Sequence, residues 1–229
     1  MHDDHHFSRA LLYRSDGVAV IELSRRGPAE HDDAGDRPVQ AVECATVMVA
    51  RSGRAALAHM GRSARHVIAE PGRPVVLHPG DTYRVRYPAP GAFRATVVVF
   101  PKRAPTTSTS LPGAPRGIAH RDLADRACAL LAADPAATHR LHDIARALGV
   151  SPFYLARIFH AQIGVSLHRY LLQIRLGLAL EQIATGERNL STLAVSLGFA
   201  THSHFSATFR RTFGTSPRAM RDALASAVS

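Results

Sequence analysis

The feature that most constrains this chain is an internal repeat in its C-terminal half. Residues 141–150 recur at residues 190–199, with leucine, alanine and glycine at matching positions. Beyond this stretch the second copy gains one residue, so that Phe159 and Gly164 match Phe209 and Gly214. Surface turns tolerate such an insertion. Because the pattern occurs twice, this half of the chain is expected to build one small unit and then repeat it.

Each copy has the pattern of two helices joined by a tight turn. Apolar residues at spacing i, i+3, i+4 and i+7 predict a first helix with one buried face, formed by Leu141, Ile144, Ala145 and Leu148. Gly149 suits the left-handed conformation that ends a helix. Ser151, followed by proline, suits the N-cap of the next helix. The other inner positions are Leu155, Ile158, Phe159 and Ile163, and in the second copy Leu190, Leu193, Ala194, Leu197, Phe205, Phe209 and Phe213.

Two helices joined by a short glycine-containing turn form a helix-turn-helix motif. We therefore predict motif 1 at residues 141–163 and motif 2 at residues 190–213. Between them, residues 167–185 predict one uninterrupted helix that ends before Gly186 and is about 28 Å long at 1.5 Å per residue. Successive major-groove segments on one face of B-DNA are about 34 Å apart. A single chain of this design can place one motif in each segment.

The charge of the chain favours a polyanionic partner. It has 28 Lys and Arg against 18 Asp and Glu, a net charge of +10, and lysine occurs only at Lys102. The guanidinium group suits phosphate and the edge of guanine. A GC-rich genome also produces arginine-rich and alanine-rich proteins, so the charge by itself does not identify a partner.

The N-terminal half has the pattern of a β-domain. Short alternating strands are separated by turns that contain Gly or Pro, as expected for a sandwich or a small barrel. Residues 75–87 resemble the closing half of a cupin-like barrel. Residues 101–117 combine proline with small polar residues and have no apolar face, which predicts an exposed linker.

The predicted fold class is therefore α+β and multidomain. It consists of an N-terminal cupin-like β-barrel or sandwich at residues 1–103, a linker at 104–117 and a C-terminal all-α domain with two helix-turn-helix motifs at 118–229. The barrel leaves two alternatives open, a pocket for a small apolar or aromatic effector and a purely structural core.

A metal-dependent barrel enzyme is the alternative from another functional class. Such an enzyme places histidines and a carboxylate on facing strands. The closing motif of the cupin fold resembles Pro-Gly-x-x-His, but Tyr83 stands at the histidine position here. The remaining candidates are scattered, namely His2, His5, His6, His31, His59, His66 and His78. We expect no catalytic residue, metal or cofactor, and a metal sensor or a redox sensor at Cys44 stays open as the alternative function.

The sequence also predicts where the protein works. No run approaches the roughly 18 apolar residues that cross a bilayer, and the polar N-terminus is unlike a signal peptide. Only two cysteines occur, Cys44 and Cys128, which argues against a disulfide framework. We expect a cytoplasmic protein with no membrane partner.

Residues 121–221 resemble the two-motif DNA-binding domain of the AraC/XylS family of transcription regulators. The most specific match lies in motif 2 and comprises Leu197-Gly198-Phe199, Ser203-His204-Phe205-Ser206 and Phe209-Arg210-Arg211-Thr212-Phe213-Gly214-Thr215-Ser216-Pro217. The resemblance implies a promoter-binding activator or repressor of transcription whose N-terminal half is a sensor or dimerisation domain. Its partners would be double-stranded DNA and a small-molecule effector or another protein such as RNA polymerase. Both a monomer and a homodimer stay open.

The resemblance also implies which residues contact DNA. Base-reading positions lie on the outer face of each second helix, at Phe153, Ala156, Arg157, His202, Ser203, Ser206 and Ala207. Candidates for contacts to the DNA backbone are Tyr154, His160, Arg169, Arg210 and Arg211. Arg157 suits a bidentate contact to guanine O6 and N7, with a phosphate-facing arginine as the alternative. Ala156 and Ala207 stand where relatives often carry longer polar side chains, which favours readout of DNA shape.

Overall fold

The computed structural model describes residues 7–15, 18–25, 39–59, 66–71, 73–87, 91–100 and 117–228. Strands occupy the N-terminal half: β1 Phe7–Ser15, β2 Val18–Arg25, β3 Gln40–Ala41, β4 Ala45–Ser52, β5 Ala55–His59, β6 His66–Ala69, β7 Val75–Leu77, β8 Thr82–Arg86 and β9 Phe93–Phe100. Helices occupy the C-terminal half: α1 Gly117–Ala133, α2 Leu141–Ala147, α3 Pro152–Ile163, α4 Leu167–Ala184, α5 Leu190–Ser196, α6 His202–Phe213 and α7 Pro217–Val228. Most of the predicted linker, residues 101–116, lies outside the described ranges.

The strands form two antiparallel sheets. The first has the order β1-β2-β9-β4-β7 and the second the order β3-β8-β5-β6. One face of β4 and β9, which carries Met48, Ala50, Ala95 and Val97, shares a core with Leu57 of β5. The expected packing of short strands into a two-layered β-domain is therefore present.

The opposite face of the first sheet packs against helices. Val47, Val49 and Val98 belong to one apolar core with residues of α4, α5, α6 and α7. Successive side chains of a strand point to opposite faces. Strands β4 and β9 are therefore buried on both sides, which is why residues 45–50 and 95–100 are almost continuously apolar. The helix-facing side of the first sheet and motif 2 form one continuous hydrophobic core.

Helix α4 lies close against the sheet at a glycine, Gly177. A Cβ on Gly177 would lie 2.7 Å from Cγ1 of Val47 in β4. Real carbon atoms do not pack at this distance, so the absence of a side chain is what allows the helix to lie against the strand.

Helices α2 and α3 lie within residues 141–163, and α5 and α6 lie within residues 190–213. In motif 1 the hydroxyl of Ser151 accepts a hydrogen bond from the backbone N–H of Tyr154 at 3.2 Å, as predicted for an N-cap. In motif 2 Thr201 has this role and accepts from the N–H of His204 at 3.0 Å. The turn glycine Gly149 has a φ of 70°. The connecting helix α4 has 18 residues, which is about 27 Å at 1.5 Å per residue.

Gly177→Ala is expected to destabilise the full-length chain, although alanine is the better helix former by about 1 kcal/mol. Overpacking against Val47 costs about 1–3 kcal/mol and outweighs that gain. The measurement is the free energy of unfolding in urea. In a Val47→Ala background, which removes the methyl groups and leaves the contact to Cβ at 3.0 Å, the same substitution should destabilise the chain less. Equal effects in both backgrounds would show that the close approach does not matter.

Candidate nucleic-acid interface

Helix α3 of motif 1 has one buried and one exposed face. Its inner residues Leu155, Ile158, Phe159 and Ile163 are buried in a core with α1 and α4. The opposite face carries Phe153, which is 80% exposed, and the exposed residues Arg157 and His160, with the partly buried Ala156 between them. These four positions have helical spacing i, i+3, i+4 and i+7, so they form one stripe along the helix. Phe153 is the most exposed large apolar side chain among the described residues.

Tyr154 lies beside this stripe and supports it. The guanidinium carbon of Arg157 is 5.6 Å from the centroid of the Tyr154 ring, a cation–π contact. On its other side the ring meets His120 of α1 edge-on, at a centroid distance of 6.0 Å. The partly buried Tyr154 therefore restricts Arg157. The contact with His120 could not be predicted from the sequence, because His120 lies in another helix. A phosphate contact from Tyr154 stays a prediction.

Helix α6 of motif 2 repeats the arrangement. Phe205, Thr208, Phe209 and Phe213 are buried, and the rings of Phe209 and Phe213 pack edge to face at 4.5 Å. The outer face carries the exposed residues His202, Ser203, Ala207, Arg210 and Arg211, with Ser206 partly buried. His202 Nε2 and Ser206 Oγ are 3.4 Å apart, so these two side chains contact each other. The aromatic core fixes the helix from which these residues project.

The electrostatics of both helices favour a polyanion. Helices α3 and α6 contain no Asp or Glu, and α6 carries Arg210 and Arg211 in its last turn. Arg169 is exposed in the first turn of α4, whose N-cap is Ser166. The N-terminal ends of α3, α4 and α6 have no acidic residue in the first turn, so their dipoles attract phosphate without competition.

The β-domain touches the helices a second time through polar groups. The turn 78–81, which follows β7, contacts α1 and α4, and we call this contact the polar seam. Asp81 accepts a hydrogen bond from Arg121 of α1 at 2.8 Å and another from the backbone N–H of His78 at 2.8 Å. The His78 ring stacks on Tyr170 of α4 at a centroid distance of 5.6 Å.

Burial would raise the pKa of Asp81, but the opposing effects are larger. Hydrogen bonds from the side chain and backbone of His78, with the positive charges of His78 and Arg121, hold this pKa well below its ordinary value. The carboxylate is therefore ionised throughout the neutral range. Burial raises the pKa of the nearby Cys128 to about 12, so this thiol is an inert part of the seam. Both Cys44 and Cys128 are free.

The histidines that were candidates for metal ligands lie in different parts of the chain. Among the residues that the structure describes, no group of three His, Cys, Asp or Glu side chains is arranged to hold a metal ion. His78 is engaged in the polar seam. His59 and His66 lie in β5 and β6, and the remaining candidates His2, His5, His6 and His31 fall outside the described ranges. Tyr83 donates its hydroxyl hydrogen to Gln40 Oε1 at 2.9 Å.

Two similar helix-turn-helix units with exposed, carboxylate-free second helices define a regulator of the DNA-binding class. A family model for a helix-turn-helix domain matches residues 144–223. The regulatory protein SoxS of Escherichia coli is 36% identical over 81 residues, which are 35% of this chain and 76% of SoxS. The chain therefore belongs to the AraC family of transcription regulators, as the resemblance of residues 121–221 implied.

Other relatives match over a smaller share of their length. LumQ of Photobacterium leiognathi, described as a probable transcriptional regulator, is 43% identical over 70 residues, which are 31% of this chain and 27% of LumQ. The regulatory protein PocR of Salmonella typhimurium is 29% identical over 82 residues, or 36% of this chain and 27% of PocR. The chain thus spans less than a third of these relatives. An AraC-type transcriptional regulator from Chromobacterium violaceum has a crystal structure that is similar at 28% identity and a TM-score of 0.44, covering 48% of this chain and 97% of that one.

Arg157→Ala is expected to weaken binding to the cognate DNA site by about 1–3 kcal/mol and to relax one base position. The measurement is the dissociation constant on the cognate site and on its single-base variants. Arg210→Ala is the matched comparison, because a phosphate contact weakens all sequences alike and lowers the slope of log K against log salt by about 0.9. Equal losses on cognate and random DNA would assign Arg157 to the backbone contacts.

The polar seam gives a prediction with a pH dependence. Asp81→Asn is expected to lower the free energy of unfolding at pH 7 by about 1–3 kcal/mol, because Arg121 loses a charged partner. The folded pKa of Asp81 is depressed, so its contribution is complete above the unfolded pKa of about 3.9 and declines as the pH falls towards the folded value. The difference between the two proteins should therefore shrink as the pH falls below about 4. A difference that does not change down to pH 3 would contradict this account.

Proposed function

We propose that this protein is a sequence-specific regulator of transcription that binds promoter DNA with α3 and α6 together. The observation that carries the proposal is the pair of capped, carboxylate-free helices joined by α4. A promoter as partner places the protein in the cytoplasm. Whether it acts as activator or as repressor at a promoter depends on where its DNA site lies relative to the binding site of RNA polymerase.

We assign direct base readout to the exposed stripe of α3 and to the outer face of α6. Arg157 forms the bidentate contact to guanine, and Phe153 packs against a thymine methyl group. In motif 2 the side chains of Ser203, Ser206 and Ala207 are short, so they form few hydrogen bonds to base edges. Recognition there depends on the fit of α6 into the groove and on the shape of the DNA. The proposed contacts to the DNA backbone come from Tyr154, His160, Arg169, Arg210 and Arg211.

The N-terminal half is proposed to be a cupin-like effector domain. Its first sheet packs directly on α4 and motif 2, and the polar seam reaches α1 and Tyr170. A change in the β-domain on binding an effector is therefore transmitted by direct contact to the helix between the two motifs. This arrangement does not require a second copy of the chain, so both a monomer and a homodimer are compatible with it.

A cavity of about 490 Å³ at this junction is a suitable place for a small-molecule effector. The cavity is lined by residues of β4, of the loop between α1 and α2, of α4 and of α5. One ligand there touches the β-domain, the connecting helix α4, motif 2 and the loop that leads into motif 1. Arg51 Nε in the wall is 3.8 Å from Glu181 of α4. Burial raises the pKa of Glu181, and the charge of Arg51 opposes this.

The proposal is tested by selecting genomic DNA fragments with the purified full-length chain at physiological salt, where non-specific affinity is low. We expect an enriched motif with two half-sites about 10 bp apart. The Arg157→Ala variant should recover the same motif with one relaxed base position. No enrichment by either the full chain or residues 117–229, each shown to be folded by circular dichroism, would contradict sequence-specific binding. Enrichment by residues 117–229 alone would show that the β-domain restrains the motifs.

A further inference from the structure

Arg175 is the one arginine of α4 whose side chain points into the protein. The residue is 9% exposed, and its guanidinium donates four hydrogen bonds to backbone carbonyl oxygens. Nε donates to Pro135 at 2.7 Å, and Nη2 to Ala137 at 2.9 Å and to Ala136 at 3.5 Å. Nη1 donates to Gly198 at 2.7 Å. These acceptors lie in two segments that are more than 60 residues apart in the chain.

The two segments belong to different motifs. Residues 135–137 lie between α1 and α2 and lead into motif 1, whereas Gly198 forms the turn between α5 and α6 of motif 2. Arg175 therefore bonds the entry to one motif and the turn of the other at the same time. The guanidinium is planar and its donors diverge in fixed directions, so it holds the two segments in one relative position.

The apolar cores of the two motifs are distinct clusters, joined through partly buried side chains such as Leu178, which packs against both. Arg175 lies at the boundary between them on α4. Its neighbour Ile174 is part of the core of motif 1, and Leu176 is part of the core of motif 2. The Arg175 bridge is thus a polar link across a division in the hydrophobic packing.

The backbone around Gly198 is packed too closely for any side chain at that position. A Cβ on Gly198 would collide with the carbonyl oxygen of Ala136 and would lie 2.8 Å from Nη2 of Arg175. Gly198 also has a φ of 77°, which glycine adopts without strain. Phe199 adds a cation–π contact, with the guanidinium carbon 5.9 Å from its ring centroid. The loop, the turn and the guanidinium therefore form one rigid joint.

We infer that Arg175 sets the distance and angle between α3 and α6, and with them the spacing between half-sites that the protein accepts. The inference rests on the proposed function. Arg175 is buried beneath the motifs and is a positioning residue rather than a DNA contact. Each added base pair moves one half-site along the DNA and rotates it by about 34–36°, so a rigid joint accepts one spacing. A loose joint accepts several.

The test uses the full-length chain and a series of duplexes that carry the two half-sites at spacings changed in steps of one base pair. Dissociation constants are measured at one salt concentration, together with that for a duplex with a single half-site. We expect the wild-type protein to prefer one spacing at least about 10-fold over its neighbours. Arg175→Met, which keeps the length of the side chain and removes its donors, should reduce this preference to less than about 3-fold. Its affinity for the single half-site should change less than 2-fold.

Two further variants complete the test. Arg175→Lys retains the charge, but its donors are on a single nitrogen and lack the fixed, divergent directions of the guanidinium, so we expect an intermediate spacing profile from a chain that folds. Arg126→Met removes an exposed arginine of α1 and should give the wild-type profile. Circular dichroism and the melting temperature establish that each variant is folded.

The outcomes separate this inference from the proposed function. A wild-type spacing profile in a folded Arg175→Met or Arg175→Lys protein would overturn the role of Arg175 and leave DNA recognition intact. Equal losses of affinity at every spacing and at the single half-site would also overturn the role of Arg175, since it would then only support the fold. A wild-type protein with no preference for any spacing would overturn the paired use of α3 and α6 itself.

Discussion

The burial of α4 on several sides is the constraint on which the rest of the structure depends. Ile174 faces the core of motif 1, Leu176 and Leu180 face that of motif 2, and Gly177 lies against β4. One helix thereby joins the two motifs and the β-domain. Small residues are required where the sheet approaches, and a buried arginine lies where the two apolar cores meet. Any change in the direction of α4 alters the relation between the motifs.

The parts of the fold that could be predicted from the sequence depend on local patterns. The bounds of both motifs follow from helical periodicity, from Ser151 as an N-cap and from glycine in the turns, all of which act within a few residues. Several strands of the β-domain, such as β2, β4 and β9, were also recognisable from alternation and turn residues. The order of the strands and the burial of the first sheet on both faces were not, because they depend on contacts between distant segments.

The candidate site shows the same division. The stripe through Phe153 and Arg157 was predictable, since helical spacing places these residues opposite the inner face. The support of Arg157 by Tyr154 and His120 was not, because it joins two helices. The burial of Arg175 was not predictable either, since a charged residue in an amphipathic helix is usually on the solvent side. Only the carbonyl groups of residues 135–137 and 198, supplied by other parts of the chain, make its burial favourable.

The continuous core between the first sheet and motif 2 restricts how such a regulator can evolve. Val18, Val47 and Val98 on the sheet must keep their fit to α4 and to the aromatic residues of α6. Substitutions in the β-domain and in motif 2 are therefore coupled, whereas motif 1 packs in a separate cluster that meets the β-domain at Val76 and at the polar seam. Exchange of the β-domain with that of a relative would succeed only if the helix-facing side of the first sheet were exchanged together with the helices that pack on it.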